Sequence, residues 1–442
     1  GAAGVGDSSG RARPATGTRF HGKSGTTARS RPDTLPGMAR PILAVTFGTF
    51  TLRLATGVTG AMLIYYLAVL PQYGGETVEA WEIGVMGALF YASELVLSPI
   101  FGVLSDRVGH RRMMLVGPAF GAVAVVITAF SVSLPVIGFT RLLEGASTAA
   151  SIPSILGFIA FATASDELLR GKAVARFEAA TLAGLMLGFV VAGPLFAAFG
   201  PTAFLLNAVL YGVSFAIYKL GVPEHAEPAP AAHGHDPEEG LHRYLRILRG
   251  SHVWLLAPTW IAINATLGLY TSQTLFQLVR EPDPRFSEQQ LMGGFDPLQV
   301  SAGLAIGGLL FFAGLFYWGG KFRSMRRTSI IVYGIIGGAV MLTAAAAINH
   351  VGADPLPLLL ALVAIAAGGL FVLAGATPAA IGLLADMTEA YPDDRGAIMG
   401  LYSVFLGLGQ IVGSIVGGVA AQAAGLDGIF VASLILLAIA FL

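Results

Sequence analysis

Apolar runs of about twenty residues recur along this chain, each long enough to cross a hydrocarbon core of about 30 Å as a helix. Short polar connectors separate them. The pattern predicts spans at 42–70, 80–103, 113–132, 134–161, 174–199, 202–220, 252–278, 298–319, 328–348, 355–384, 397–423 and 428–442. Two connectors are longer than the others, 221–250 and 279–297. Before the first span the chain is rich in Gly, Ser, Thr, Arg and Pro. Such a stretch buries too little apolar surface to offset its ordering entropy, so a disordered basic tail is expected over 1–38. No signal-peptide core precedes the first span. The chain opens on Gly and stops at Leu442 inside an apolar run, so both ends are expected to be cropped.

Composition agrees with a membrane protein. The chain is 55% hydrophobic and 12% charged, with a mean hydropathy of +0.73. Soluble domains carry about 25% charged residues. Lys plus Arg and Asp plus Glu balance at 26 each, and no basic excess points to nucleic acid. With no cysteine, disulfides and thiolate metal sites are excluded. His225, His233, His235 and His242 fall in the 221–250 connector, which reads as a solvated linker and, as an alternative, an adventitious metal binder. There is no phosphate loop, metal-ligand cluster or nucleophile elbow, so neither an enzyme, a metal nor a cofactor is expected.

The placement of Lys and Arg sets the orientation. The tail to Arg40 and the connectors after every second span hold 22 of the 26, and the opposite connectors hold two, Arg280 and Arg285. The last two, Arg53 and Arg141, lie inside spans. Cytoplasmic connectors collect positive charge, so the tail and the 221–250 linker are predicted to be cytoplasmic.

The chain also repeats at an offset of 225 residues. Arg170-Gly171 matches Arg395-Gly396, and Gly184, Gly188, Val191 and Gly193 match Gly409, Gly413, Val416 and Gly418. Each set opens a span after a short connector on the tail side. The predicted organisation is a tail over 1–38, a six-helix bundle over 39–221, a linker over 222–250 and a second six-helix bundle over 251–442 with its last helix cropped. Small residues let helices in lipid approach closely, so Gly188, Gly193, Gly413 and Gly418 are expected at packing seams that can also rock.

Between the second and third spans stands Gly102-Val103-Leu104-Ser105-Asp106-Arg107-Val108-Gly109-His110-Arg111-Arg112. Its spacing G-x-L-x-D-R-x-G-x-R-R resembles the signature of the major facilitator superfamily (MFS) of secondary transporters. The counterpart after the eighth span, Gly319 to Arg327, keeps basic residues and lacks the Asp. Gly193-Pro194 resembles part of the superfamily's antiporter motif, although Phe189, Ala197 and Ala198 stand where its glycines would. Arg141, Gly145 and Ala149 resemble the span 4 motif of proton-linked members.

The resemblance implies an all-α polytopic fold: two six-helix bundles, twelve spans in all, related by a pseudo-two-fold axis. It implies a monomeric transport unit in a bacterial-type inner membrane, with its N-terminus in the cytoplasm. By the same resemblance, Asp106 helps lock the halves on the cytoplasmic side, together with Gly102, Arg107, Gly109, Arg111 and Arg112. For Arg111 and Arg112, plain membrane anchoring is an equal alternative.

A charge at the bilayer centre costs at least about 2.5–3.5 kcal/mol on insertion scales, so ionisable residues there are functional candidates. They are Arg53, Glu94, Arg141 and Glu144, with Glu178 nearer the tail-side end of span 5. At 1.5 Å per residue, Arg53 and Glu94 lie roughly 16 Å and 14 Å from the tail-side ends of their spans and are expected to pair near the midplane. Arg141 and Glu144 share one helix face. A carboxylate held partly from water retains its proton more tightly, and a neighbouring guanidinium favours release. Glu94 is the first choice for a proton carrier and Glu144 the second. Structural ion pairs are the competing reading.

In span 7, Asn264, Gly268 and Thr271 share a polar face expected to look into the bundle, with Gln410 of span 11 a further cavity candidate. Phe311, Phe312, Phe316, Tyr317 and Trp318 form either an interfacial belt or a cavity wall. The leading expectation is a proton-coupled exporter of amphipathic or drug-like compounds, working by alternating access with the proton as coupling ion. The alternatives are an importer or facilitator of a small polar solute and a transporter-like accessory subunit of a larger membrane complex.

Overall fold

A computed structural model describes residues 39–164, 166–223, 253–322, 324–352, 355–389 and 395–441. Among these there is no strand. The tail, most of the linker with its four histidines, Arg323 and Asp394 lie outside the described residues, as do the side chains of Asp386, Glu389 and Arg395.

The first half consists of α1 (Ala39–Ala68), α2 (Ala80–Val108), α3 (His110–Ala129), α4 (Leu134–Ala162), α5 (Glu167–Phe199) and α6 (Ala203–Gly221). The second consists of α7 (Val253–Val279), α8 (Pro297–Lys321), α9 (Arg327–His350), α10 (Leu356–Leu373), α11 (Ala376–Glu389) and α12 (Arg395–Phe441). Helix α12 is one element only in hydrogen bonding. Ala424 and Gly425 have non-helical backbone, with Gly425 at φ 60°, and they divide it into two limbs, 395–423 and 426–441. Spans 11 and 12 of the sequence pattern are these limbs.

Span 10 is broken into α10 and α11 at Ala374–Gly375. Pro378 has no N–H for the Ala374 carbonyl four residues back, so the helix cannot run through. Among the described residues, nine helical stretches are long and apolar enough to cross a membrane, and 167–221 and 403–441 each hold two rods.

Two boundaries differ from the sequence pattern in ways that matter. The expected loop at 102–112 is almost entirely helical. Helix α2 runs to Val108 and α3 starts at His110, so Gly109 alone makes the turn, at φ 98°, where glycine is the residue that fits. Helix α5 starts at Glu167 instead of 174, because the Asp166 carboxylate caps it by accepting the Leu169 N–H at 2.9 Å.

The halves are built alike. Helices α2 and α8 both open with a capping box, Glu79 with Glu82 and Asp296 with Gln299. Helix α1 packs on α5 as the first limb of α12 packs on α7. A Cβ on Gly184 would lie 2.6 Å from the Phe50 carbonyl oxygen, and one on Gly409 would lie 2.7 Å from that of Ile261. Gly188 meets Leu54, Gly413 meets Ala265, Gly57 meets Leu185, and Gly268 meets Gln410. Residues on α5 and α12 match at the 225 offset, and those on α1 and α7 match at 211. The repeat is therefore a repeat of contacts. Gly193 and Gly418 do different work, packing between halves: Gly193 on Pro297 and Ser301 of α8, Gly418 on Ala80 and Trp81 of α2.

Overpacking such a seam costs about 1–3 kcal/mol. Gly188→Val and Gly413→Val should each lower the thermal midpoint of the detergent-solubilised protein by several degrees. Gly171→Ala, with nothing within 4 Å of the new Cβ, should leave it unchanged or slightly raised.

Candidate functional site

Four helices of the first half carry ionisable side chains into one electrostatic network. On α4, Arg141 and Glu144 form an ion pair with side-chain exposures of 11% and 2%. The Arg141 guanidinium also donates to the Met86 carbonyl at 3.4 Å and lies 4.7 Å from the centre of the Phe90 ring. A guanidinium removed from water needs partners of this kind. The second carboxylate oxygen of Glu144, Oε1, is buried with no hydrogen-bond partner.

Arg53 of α1 is buried, at 7% exposure, with its Cβ against Gly184 of α5. It is within electrostatic reach of Glu94 on α2 and Glu178 on α5. The expected Arg53–Glu94 contact pair is not formed. Helix α1 packs mainly on α5 and α6, so its guanidinium is shared at longer range between two carboxylates on two helices. Tyr91, one turn before Glu94, couples this group to Arg141 and faces Thr271 of α7.

Glu178 joins the network through its electrostatic interaction with Arg53 although its own side chain is exposed, with Lys172 and Arg176 exposed nearby on the tail side. From Glu167 it lies eleven residues into α5, roughly 16 Å by helical rise.

The facing side chains of the second half are neutral. Asn264 is buried and donates its amide to the Trp260 carbonyl at 2.8 Å. Thr271 bonds back to the Gly268 carbonyl at 3.2 Å. Gln410 is 4% exposed, and its Oε1 is buried without a partner. Asn264 and Gly268 face α12, so this part of the stripe looks into the bundle. Of the aromatic cluster, Phe316 is 81% exposed, while Trp318 donates to the Phe371 carbonyl at 3.1 Å and ties α8 to α10.

The 102–112 motif lies at the tail-side end of the first half, apart from this network. Asp106, Arg107 and Arg112 are exposed. Ser105 is buried, with its hydroxyl 2.7 Å from His110 Nδ1 across the Gly109 turn. Gly157 leaves room for the imidazole, and Gly102 packs against Pro153. Arg111 donates to the Lys219 carbonyl at 2.8 Å, a cation at the C-terminal end of α6, where the helix dipole favours it. Ser105 and His110 were missed from sequence because neither is charged at the membrane face.

Two six-helix halves, one of them holding a buried ion pair and a buried guanidinium shared between two carboxylates, are the architecture of a polytopic membrane transporter. The Major Facilitator Superfamily model matches residues 45–358 and 287–442. The chain belongs to this superfamily. It is 24% identical over 341 residues to Multidrug resistance protein 2 of Bacillus subtilis (strain 168), covering 76% of this chain and 79% of that protein. It is 22% identical over 325 residues to Quinolone resistance protein NorA of Staphylococcus aureus (strain MSSA476), covering 69% and 73%. In fold it is similar to the nucleoside transporter NupG, with TM-score 0.67, 14% identity, and coverage of 91% of this chain and 97% of that one. It is also similar in fold to the human organic anion transporter MFSD10 (TETRAN), with TM-score 0.59, 18% identity, and coverage of 92% and 99%.

Removing one partner of a buried ion pair costs about 3–5 kcal/mol, while replacing both with apolar groups is often neutral. Arg141→Met should therefore destabilise the protein by that amount, and the double variant R141M/E144M should recover most of it. Thermal unfolding of the two single variants and the double variant checks this.

Proposed function

We propose that this transporter is a proton-coupled exporter of amphipathic, drug-like compounds, with Glu94 as the principal proton carrier. The observation that carries the reading is the difference between two carboxylates in one network. Glu144 is held by Arg141 on its own helix. Glu94 has no contact ion pair and shares Arg53 with Glu178 at longer range. A carboxylate without a fixed counter-ion in a partly dry site changes protonation when its surroundings change.

The two bacterial relatives are named for resistance to multiple drugs and to quinolones, which supports a drug-like substrate moved outward. The positive-inside distribution supports a cytoplasmic tail, so export runs from the tail face to the far face. The neutral amides and hydroxyls of α7 and α12 then meet the substrate, and Asp106 with Arg107 serves the tail-side gate.

In proteoliposomes with an imposed pH gradient, Glu94→Gln should reduce uphill movement of a lipophilic cationic dye to background while the thermal midpoint stays near that of the parent. Glu144→Gln should retain part of the gradient-driven flux. Equal flux in the parent with and without the gradient, running only down the dye's own concentration difference, would point to a facilitator and overturn the coupling.

A further inference from the structure

The face of the bundle away from the tail carries a contact between halves that no functional assignment has used. Helix α2 begins there at Ala80, which is fully buried. Both of its backbone polar groups are held by side chains of the other half. Gln422 of α12 accepts the Ala80 N–H at 3.0 Å. Gln273 of α7 donates to the Ala80 carbonyl at 2.9 Å. The same Gln422 donates its amide to the Glu79 carboxylate at 2.6 Å, a hydrogen bond strengthened by charge. An N–H in the first turn of a helix has no partner within the helix, so this one is available to a neighbour.

Just below, Gly84 and Gly87 pack against Ser414, and Gly418 packs against Trp81. Further toward the tail face α2 turns exposed, with Val96 at 63%, Ile100 at 55% and Val103 at 53%. The halves are thus joined at the far-side end of α2.

The pseudo-two-fold axis supplies a comparison within the molecule. Its second seam joins α5 to α8, with Gly193 against Pro297 and Ser301. By the offsets above, Ala197 stands there in place of Gln422, Met62 in place of Gln273, and Pro297 in place of Ala80. Proline has no N–H to be held, and neither alanine nor methionine offers an amide. The amide bonds on a helix start at one seam have no counterpart at its twin, where the Tyr65 hydroxyl of α1 faces Ser301 instead.

We propose that Gln422 and Gln273 are a latch on the first residue of α2. The latch holds the far side of the transport path closed, and it releases when that side opens, while the α5–α8 seam acts as the pivot. The proposal rests on the transporter reading and is independent of proton coupling.

The chain has no cysteine, so spin labels can be placed without background. Labels at Glu76→Cys and Glu288→Cys, both exposed on the far face, report the separation of the halves by pulsed electron resonance in nanodiscs. The parent should give one short distance. Gln422→Glu sets two carboxylates against each other and should raise a longer-distance population about tenfold, the scale of one charge-assisted hydrogen bond. Gln422→Asn, which keeps the amide and shortens its reach, should do so to a smaller extent and serves if the first variant fails to fold. Ser301→Ala at the twin seam should leave the distribution unchanged. Parent-like distances in a folded Gln422→Glu or Gln422→Asn variant, or equal widening from Ser301→Ala, would overturn the latch. Because the readout is a distance, the absence of proton-driven flux would leave the result interpretable.

Discussion

Close approach of helix backbones at small residues is the contact on which the rest of this protein depends. In lipid there is little hydrophobic force between helices, and association relies on van der Waals packing at short range. Gly184 and Gly188 bring α1 onto α5, and Gly409 and Gly413 bring the first limb of α12 onto α7. These seams decide where the charges stand. Arg53 is beside Gly184 because α1 leans on α5 there. The same lean keeps Arg53 from a contact pair with Glu94 and leaves it between two carboxylates.

Much of this was legible in the sequence, for identifiable reasons. The spans were readable because a bilayer imposes a length, and the glycine repeat at 225 was readable because each half solves the same packing problem. Arg141 and Glu144 were placed together correctly because three residues on one helix form a local relation.

What was not legible depended on tertiary direction or on caps. A distance from the end of a span gives depth but not which neighbour a helix leans toward, so the Arg53–Glu94 pairing was misjudged. The start of α5 was placed late because Arg170, Lys172 and Arg176 look like a loop until the Asp166 cap is seen. The 102–112 stretch looked like a loop because its charges are dense, yet one residue at positive φ makes the whole turn. Gln422 and Gln273 carry no charge, and nothing in their spacing sets them apart from other amides in spans.

The two halves share a frame and differ in chemistry. By the contact offsets, Glu94 corresponds to Phe311, Arg53 to Asn264 and Glu178 to Ser403. Every buried charge described in the network stands in the first half, and its equivalents above are neutral. On the proposed reading this asymmetry has a mechanical consequence. If one rigid half rocks against the other, no ion pair has to be broken across the interface. Arg141 and Glu144 sit on one helix and travel together through the cycle. Arg53 serves Glu94 and Glu178 from a third helix, so a small displacement of α1, α2 or α5 changes the balance between them. What the moving neutral wall of α7 and α12 alters is access of water to the charged wall. Hydration governs the protonation of a carboxylate that lacks a fixed partner more than that of one held in a close pair. The unpaired state of Glu94 is thus the structural property that makes it responsive to rocking, and the paired state of Glu144 is what makes it a fixed part of the frame.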